Sequence, residues 1–363
     1  MNRLRLVATL LLVAWPSASL GQPNVRDLLE AQDRASKLGA RDVYEQIRDM
    51  DDYRLAGWRA IAKGYYDTAE HEFRSAIKAA LRPGLYEPRM TARAYADYAW
   101  ALQKQGRNVE AEPLLKWALV AREKALEPGT PAIAQTLNQI GTLYYESGQV
   151  LQAEASLRRA IDIQAAAKSP DRVEQSRSQT LMGLLYSAQR RYAEAEPYFA
   201  RAATYREKAL GSSHSETADA LSNLAWTYLE QGKDAEAKPL FDRALATFER
   251  TRGAADPSVA HAANGLGQIL TRQHNPAEAE KQFRRAIEIL EARAYEEPNL
   301  FEVLRHYADL LEDQQKAAEL APIRARLAPL RAKYTPPSTR LGSRYRVPEP
   351  SRTNPGPAGR VPG

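Results

Sequence analysis

Apolar residues recur three and four positions apart along most of this 363-residue chain, the spacing that gathers them on one face of a helix. A longer rhythm is laid over it. Ala-x3-large-x2-Ala occurs at Ala69, Phe73, Ala76 and returns at Ala111, Leu115, Ala118, then at Ala153, Leu157, Ala160. It continues at Ala195, Phe199, Ala202, at Ala237, Phe241, Ala244 and at Ala279, Phe283, Ala286, always 42 residues on. A fixed period of that length marks a repeat architecture. Upstream of each match stands a small residue: Gly57, Ala99, Gly141, Gly183, Ala225 and Gly267. Three positions later come Leu102, Tyr144, Tyr186, Tyr228 and Leu270 in five of the six units. A turn separates the halves at Gly64, Gly106, Gly148 and Gly232, with Arg190 and His274 in the other two. Each unit predicts two amphipathic helices, A and B, packed closely where the small residue lies.

The stretch "AEPLLKWAL" puts Pro113 inside helix B, and Pro197 and Pro239 repeat it. A helix interior disfavours proline, which lacks the amide and crowds the carbonyl four residues back. If helix B begins near Asn108, the ring lies about a turn in and displaces one hydrogen bond.

The segments "QTLNQIGTLYYESGQVLQAEASLRRAI" and "DALSNLAWTYLEQGKDAEAKPLFDRAL" resemble tetratricopeptide repeats. The 42-residue length, "REKALG" before a new unit and "AEP" at the start of helix B resemble the kinesin light chain subtype. The resemblance spans roughly residues 52 to 331, within an array placed at 52–333. A degenerate seventh unit fits "HYADLLEDQQKAAELAPIRARLAPL" with one residue deleted, which puts Pro322 in the proline slot. Repeat 1 is irregular, with Ala56 and Ala60 where large residues are expected, and residues 22–51 are expected to form a helical cap over it. The fold class implied is all-α: a right-handed superhelical solenoid of stacked helix-turn-helix hairpins, with helix A of each unit lining the inner face. Such a groove implies a binding module for an extended peptide or a partner's helix.

Candidate groove residues follow from helix A. The position after the small residue holds Trp58, Trp100, Thr142, Leu184, Trp226 and Gln268. Trp58, Trp100 and Trp226 are expected to face the groove as anchors, the alternative being packing against the next repeat. Four positions earlier, Asn138 and Asn264, with Asn223 one step on, match the resembled family's backbone clamp, since an amide both donates and accepts. Thr180 and Ser222 depart from it. Three positions further back come Arg93, Gln135, Arg177, Asp219 and His261, positive early and mixed later, which suggests a partner with an acidic contact region.

The ends change the picture. "MNRLRLVATLLLVAWPSASLGQ" has Arg3 and Arg5 before a short apolar run, with Ser19 and Gly21 placed for cleavage before Gln22. It reads as a signal peptide over residues 1–21, so the protein is expected to be exported, periplasmic in a Gram-negative source and otherwise extracellular. Residues 334–363 carry seven Pro, five Arg and one Glu and are expected to be a disordered tail. Setting aside the leader's two Arg and the tail's five Arg and single Glu leaves 44 basic against 44 acidic residues. A neutral body does not suit a nucleic-acid-binding fold.

Cysteine is absent and the five His form no metal spacing. Neither nucleophile elbows nor phosphate loops occur, so no enzyme, metal or small-molecule cofactor is expected. The reading is a non-catalytic scaffold binding a protein or peptide partner. The alternative is a structural envelope protein whose basic tail makes weak contact with an anionic polymer.

Overall fold

The computed structural model describes residues 40–81, 88–126, 129–168, 170–292 and 297–334. Among them are fourteen helices and no strand. In chain order these are α1 (Ala40–Ala62), α2 (Tyr66–Ala80), α3 (Pro88–Lys104), α4 (Asn108–Ala125), α5 (Pro131–Glu146), α6 (Val150–Ala166) and α7 (Arg172–Ala188). They continue as α8 (Tyr192–Leu210), α9 (Ser215–Glu230), α10 (Asp234–Arg252), α11 (Pro257–Arg272), α12 (Pro276–Glu291), α13 (Glu297–Asp313) and α14 (Ala317–Tyr334). Odd-numbered helices are the A members of seven hairpins and even-numbered ones the B members. The chain divides into two compact units, Met1–Pro170 and Asp171–Gly363. The expected leader, the first part of the expected cap and the tail beyond residue 334 lie outside the described residues.

One boundary differs from expectation. The expected junction of cap and array at residues 51 and 52 falls inside α1. Met50 is as fully buried as the core alanines that follow, so the cap and helix A of repeat 1 are one helix.

Within each hairpin the small residue of helix A meets the large residue of helix B. A Cβ on Gly57 would lie 2.7 Å from Phe73, one on Gly141 2.6 Å from Leu157, and one on Gly183 2.8 Å from Phe199. On Gly267 it would lie 2.6 Å from Phe283. Real Cβ atoms do not come so close, so glycine is what lets the ring sit against the helix A backbone. The flanking alanines of helix B are buried throughout.

Every hairpin turn has the same closure. Tyr65 N–H donates to Ala60 O at 2.9 Å and Gly64 N–H to Ile61 O at 2.9 Å, the paired bonds of a Schellman end. The pattern repeats in the other six turns, down to Lys316 with Leu311 and Gln315 with Glu312. The motif needs a left-handed residue. Gly64, Gly106, Gly148 and Gly232 supply it with φ of 73–77°, while Arg190, His274 and Gln315 adopt φ of 55–59°.

The proline slot now has an explanation. Pro113, Pro197, Pro239 and Pro322 are each the sixth residue of their helix. The carbonyls they leave without a helical donor belong to Val109, Ala193, Ala235 and Ala318, all exposed residues of the first turn. Water can serve those oxygens, so the cost stays far below that of a buried proline.

Successive hairpins are tied by a polar clasp. In the first unit Tyr98 Oη donates to Glu70 Oε1 at 2.8 Å, Arg74 Nε donates to Tyr98 Oη at 3.0 Å, and Arg107 Nη1 donates to Glu70 Oε2 at 2.6 Å. Burial first, and the Glu70 bond second, push the Tyr98 phenol up to about 12. The second unit repeats the clasp with Glu280, Arg284, Tyr307 and Lys316. The first two members recur 210 residues on and the last two 209. One residue is therefore missing between Arg284 and Tyr307, which accounts for the degenerate seventh repeat. A second ladder links neighbouring B helices through Glu123–Arg159 in the first unit, and Glu207–Arg243, Glu249–Arg285 and Glu291–Arg326 in the second. These pairs absorb much of the balanced charge of the body.

Two substitutions test this account. Gly183→Val should lower stability by about 1–3 kcal/mol through overpacking against Phe199, and Phe199→Leu in the same chain should recover part of it in denaturant titrations. His274→Gly should raise stability by about 1 kcal/mol by removing a side chain from a left-handed turn. The clasp adds an expectation for acid. Glu280 is held below the usual carboxylate range, mainly by the Lys316 ammonium. A carboxyl lowered on folding stabilises above its unfolded value of 4.5 and loses that contribution as pH falls further. Lys316→Gln should therefore reduce the drop in melting temperature between pH 6 and pH 3, roughly the window in which carboxylates titrate.

Candidate functional site

The helix A positions picked out in the sequence do not behave alike. In the first unit, Trp58 on α1 and Trp100 on α3 are both half-buried and pack against each other, with ring centroids 4.8 Å apart and ring planes tilted by 46°. The far side of Trp58 meets Phe73 edge-on at 5.8 Å, which anchors the pair to the core. Lys104 Nζ stands 5.0 Å above the Trp100 ring, a cation–π placement. Polar groups surround the pair. Arg54, one turn before Trp58, donates to Asp97 Oδ2 from Nε at 2.7 Å and to Asp51 Oδ1 from Nη1 at 2.7 Å. Arg93 is half-buried, and burial followed by the neighbouring Arg54 charge pushes its guanidinium below the usual range. The arrangement presents two tilted aromatic rings with the Lys104 ammonium over one of them.

Trp226, at the same phase on α9, departs from the expected groove position. It is 0 % exposed, edge-on to Phe241 at 5.4 Å, and its Nε1–H donates to Nδ1 of His261 on α11 at 3.0 Å. The residue that corresponds to His261 beside Trp58 is Arg93, 35 positions on in both cases. A guanidinium only donates, so it cannot accept an indole N–H as an imidazole does. Trp226 is thus sealed with its indole proton satisfied, whereas Trp58 keeps partial exposure.

The asparagines are buried rather than displayed. Asn138, Asn223 and Asn264 all lie in the interior, and the carbonyls of Asn138 and Asn223 accept from Thr142 and Thr227 one turn on. Asn264 Oδ1 lies 3.0 Å from His306 Nδ1, while Arg305 Nη2 reaches His306 Nε2 at 3.0 Å. Since arginine must donate, Nδ1 carries the proton and gives it to the amide oxygen. Both imidazoles, His261 and His306, are held as neutral tautomers between A helices. Arg177 is buried beside Glu174, Nε to Oε1 3.4 Å, and burial is the main cause of its lowered pKa.

Of the eight residues expected to line a groove, Trp58, Trp100 and Arg93 keep partial exposure, and the other five are buried. Arg54 and Lys104 were missed. Arg54 occupies the asparagine slot two repeats before Asn138, so carrying that register back to repeat 1 finds it. Lys104 follows Trp100 by one helical turn. No group of three His, Asp or Glu able to hold a metal occurs among the described residues, and none of their helices is long and apolar enough to cross a membrane.

Comparison with known proteins bears on the whole array. No curated protein matches the chain. The fold is similar to that of RapI in its apo form, with 14% identity over 79% of this chain and 98% of that one, TM-score 0.61. It is similar to a signal transduction ATPase with numerous domains, carrying a tetratricopeptide repeat sensor, from Pyrococcus horikoshii (14% identity, 78% of this chain, 42% of that one, TM-score 0.62). BtubC (BKLC) from P. vanneervenii is similar at 17% identity over 72% and 96% of the two chains, TM-score 0.50. The tetratricopeptide repeat family model matches residues 90–166, 132–208, 174–249 and 216–292 in overlapping pairs of repeats. With the hairpin geometry, the uniform turns and that match over more than half its length, the chain belongs to the tetratricopeptide repeat family.

Proposed function

We propose that this repeat protein is an exported, non-catalytic scaffold that holds a protein or peptide partner against the A-helix face of its first unit. The observation that carries the reading is the Trp58–Trp100 pair. Two large rings are left half-exposed and bordered by Lys104, in a chain that seals the equivalent Trp226 completely. Aromatic rings held rigid by a core contact, as Trp58 is by Phe73, lose little entropy when a partner covers them, and such residues dominate binding energy at interfaces. Export rests on the leader in residues 1–21, with its two arginines and short apolar run.

Removal of the stack should abolish capture without harming the fold. Trp58→Ala with Trp100→Ala is expected to lose the partner from an envelope extract, with a loss of about 2 kcal/mol or more per anchor and helicity retained by circular dichroism. Trp226→Ala is expected to act on stability instead, costing about 3–5 kcal/mol. Equal capture by the parent and the Trp58, Trp100 variant would overturn the reading. N-terminal sequencing of protein secreted by its own leader should begin at Gln22, and a start at Met1 would contradict export by cleavage.

A further inference from the structure

Trp58 and Trp100 offer a partner apolar surface with little to hydrogen-bond. One turn earlier on the same two helices, the asparagine slot holds Arg54 and Ala96. Arg54 is buried and donates to Asp97 and Asp51, while Ala96 is buried and has no polar side chain. In the next hairpin Asn138 is buried too. Thr142, at the phase of the tryptophans, gives its hydroxyl proton to the Asn138 carbonyl at 2.9 Å. A peptide lying across the two rings therefore meets no clamp for its backbone at these positions. No strand occurs among the described residues to which it could be added.

Two kinds of segment bring a backbone that needs no such clamp. A helix bonds its own amides, but it docks through anchors spread over two or more turns. The open rings have centroids 4.8 Å apart, less than one helical turn, and the aromatic row ends at Thr142. A polyproline II segment leaves its backbone to water and is extended before it binds, so it has little entropy to lose. Ring geometry points the same way. A flat ring held between two others needs roughly 7 Å, twice a van der Waals contact, and rings 4.8 Å apart and tilted by 46° leave no such slot. Their two inclined faces suit a puckered, saturated ring laid across them.

The charge at the pair is set by Lys104, which is exposed and stands 5.0 Å above the Trp100 ring. Glu146 lies within reach of that charge. Burial nevertheless holds its carboxyl above the usual range, against the Asn108 bond and the Lys104 charge, so the ammonium is not spent there.

We infer that the Trp58–Trp100 pair is a subsite for a proline-rich segment of the partner in the polyproline II form, with an acidic residue beside the proline set against Lys104. The inference rests on the scaffold reading above and narrows the partner that the scaffold takes.

The test titrates the chain from Gln22 to Gly363 into a fluorescently labelled proline decapeptide and reads anisotropy. The probe carries glutamate at its fourth and seventh positions, which the three-residue turn puts on one side. Saturable binding is expected. Replacing the prolines of the probe by alanine should weaken it about tenfold or more, because the segment must then be ordered on binding. Trp58→Ala should weaken the proline probe about thirtyfold or more with helicity unchanged. Lys104→Gln, at an exposed position, should weaken it about two- to fivefold and leave a glutamine version of the probe unaffected. Absence of saturable binding, an alanine probe that binds as well as the proline one, or a proline probe indifferent to Trp58→Ala each overturns the subsite. Equal losses for the glutamate and glutamine probes in Lys104→Gln overturn the acidic contact. If the proline probe fails while capture from the envelope extract still needs Trp58 and Trp100, the scaffold reading stands and the proline subsite falls. If capture is indifferent to both rings as well, both readings fall.

Discussion

The contact on which the array depends is the approach of one helix backbone to one large side chain. Phe73, Leu157, Phe199 and Phe283 press on glycines of the preceding helix at distances that exclude even a methyl group. This sets the crossing point of each hairpin, and the buried alanines on either side of the ring keep the two helices parallel enough to share it. The turn then has little freedom. A left-handed residue and two reversed hydrogen bonds close it in the same way seven times. The polar clasp between hairpins is part-buried, and its recurrence in the same register shows that the contact made between hairpins of the first unit is made again in the second.

Much of that order is legible in the chain itself, because a fixed period converts weak local preferences into a strong signal. The small residues, the turn positions, the proline slot and the shortened seventh unit all have physical counterparts. The first helix was less legible. Nothing in the composition around residues 51 and 52 marks whether a helix stops there, and continuity is decided by the burial of Met50. The site was legible only in part. Helix phase assigns Trp58, Trp100 and Trp226 to one stripe, and phase alone cannot tell an open position from a sealed one. Trp226 gives its indole proton to His261 one repeat away, a partner that phase does not reveal. The same limit applies to the asparagines, which are buried, with the amide oxygen of Asn264 meeting His306 of the next A helix.

Comparison of the chain with itself reaches further than comparison with distant folds. Similar structures at 14–17% identity establish the architecture. The internal copies, separated by multiples of 42, show which interactions the array keeps and which it gives up in one place. The half-open Trp58 is conspicuous only beside the sealed Trp226.

The distribution of the indoles has an optical consequence. Apart from Trp15, which precedes the described residues, the tryptophans are Trp58, Trp100 and Trp117 in the first unit and Trp226 alone in the second. Trp226 is screened from water and hydrogen-bonded to an imidazole, while Trp58 and Trp100 are in tilted contact and half open to solvent. Intrinsic fluorescence therefore carries two separable signals, a blue-shifted one from the interior of the second unit and a redder one from the open face of the first. With phenylalanine at positions 58, 100 and 117, emission would follow the second unit by itself, and the order in which the two halves of the array come apart could be read in a single cuvette.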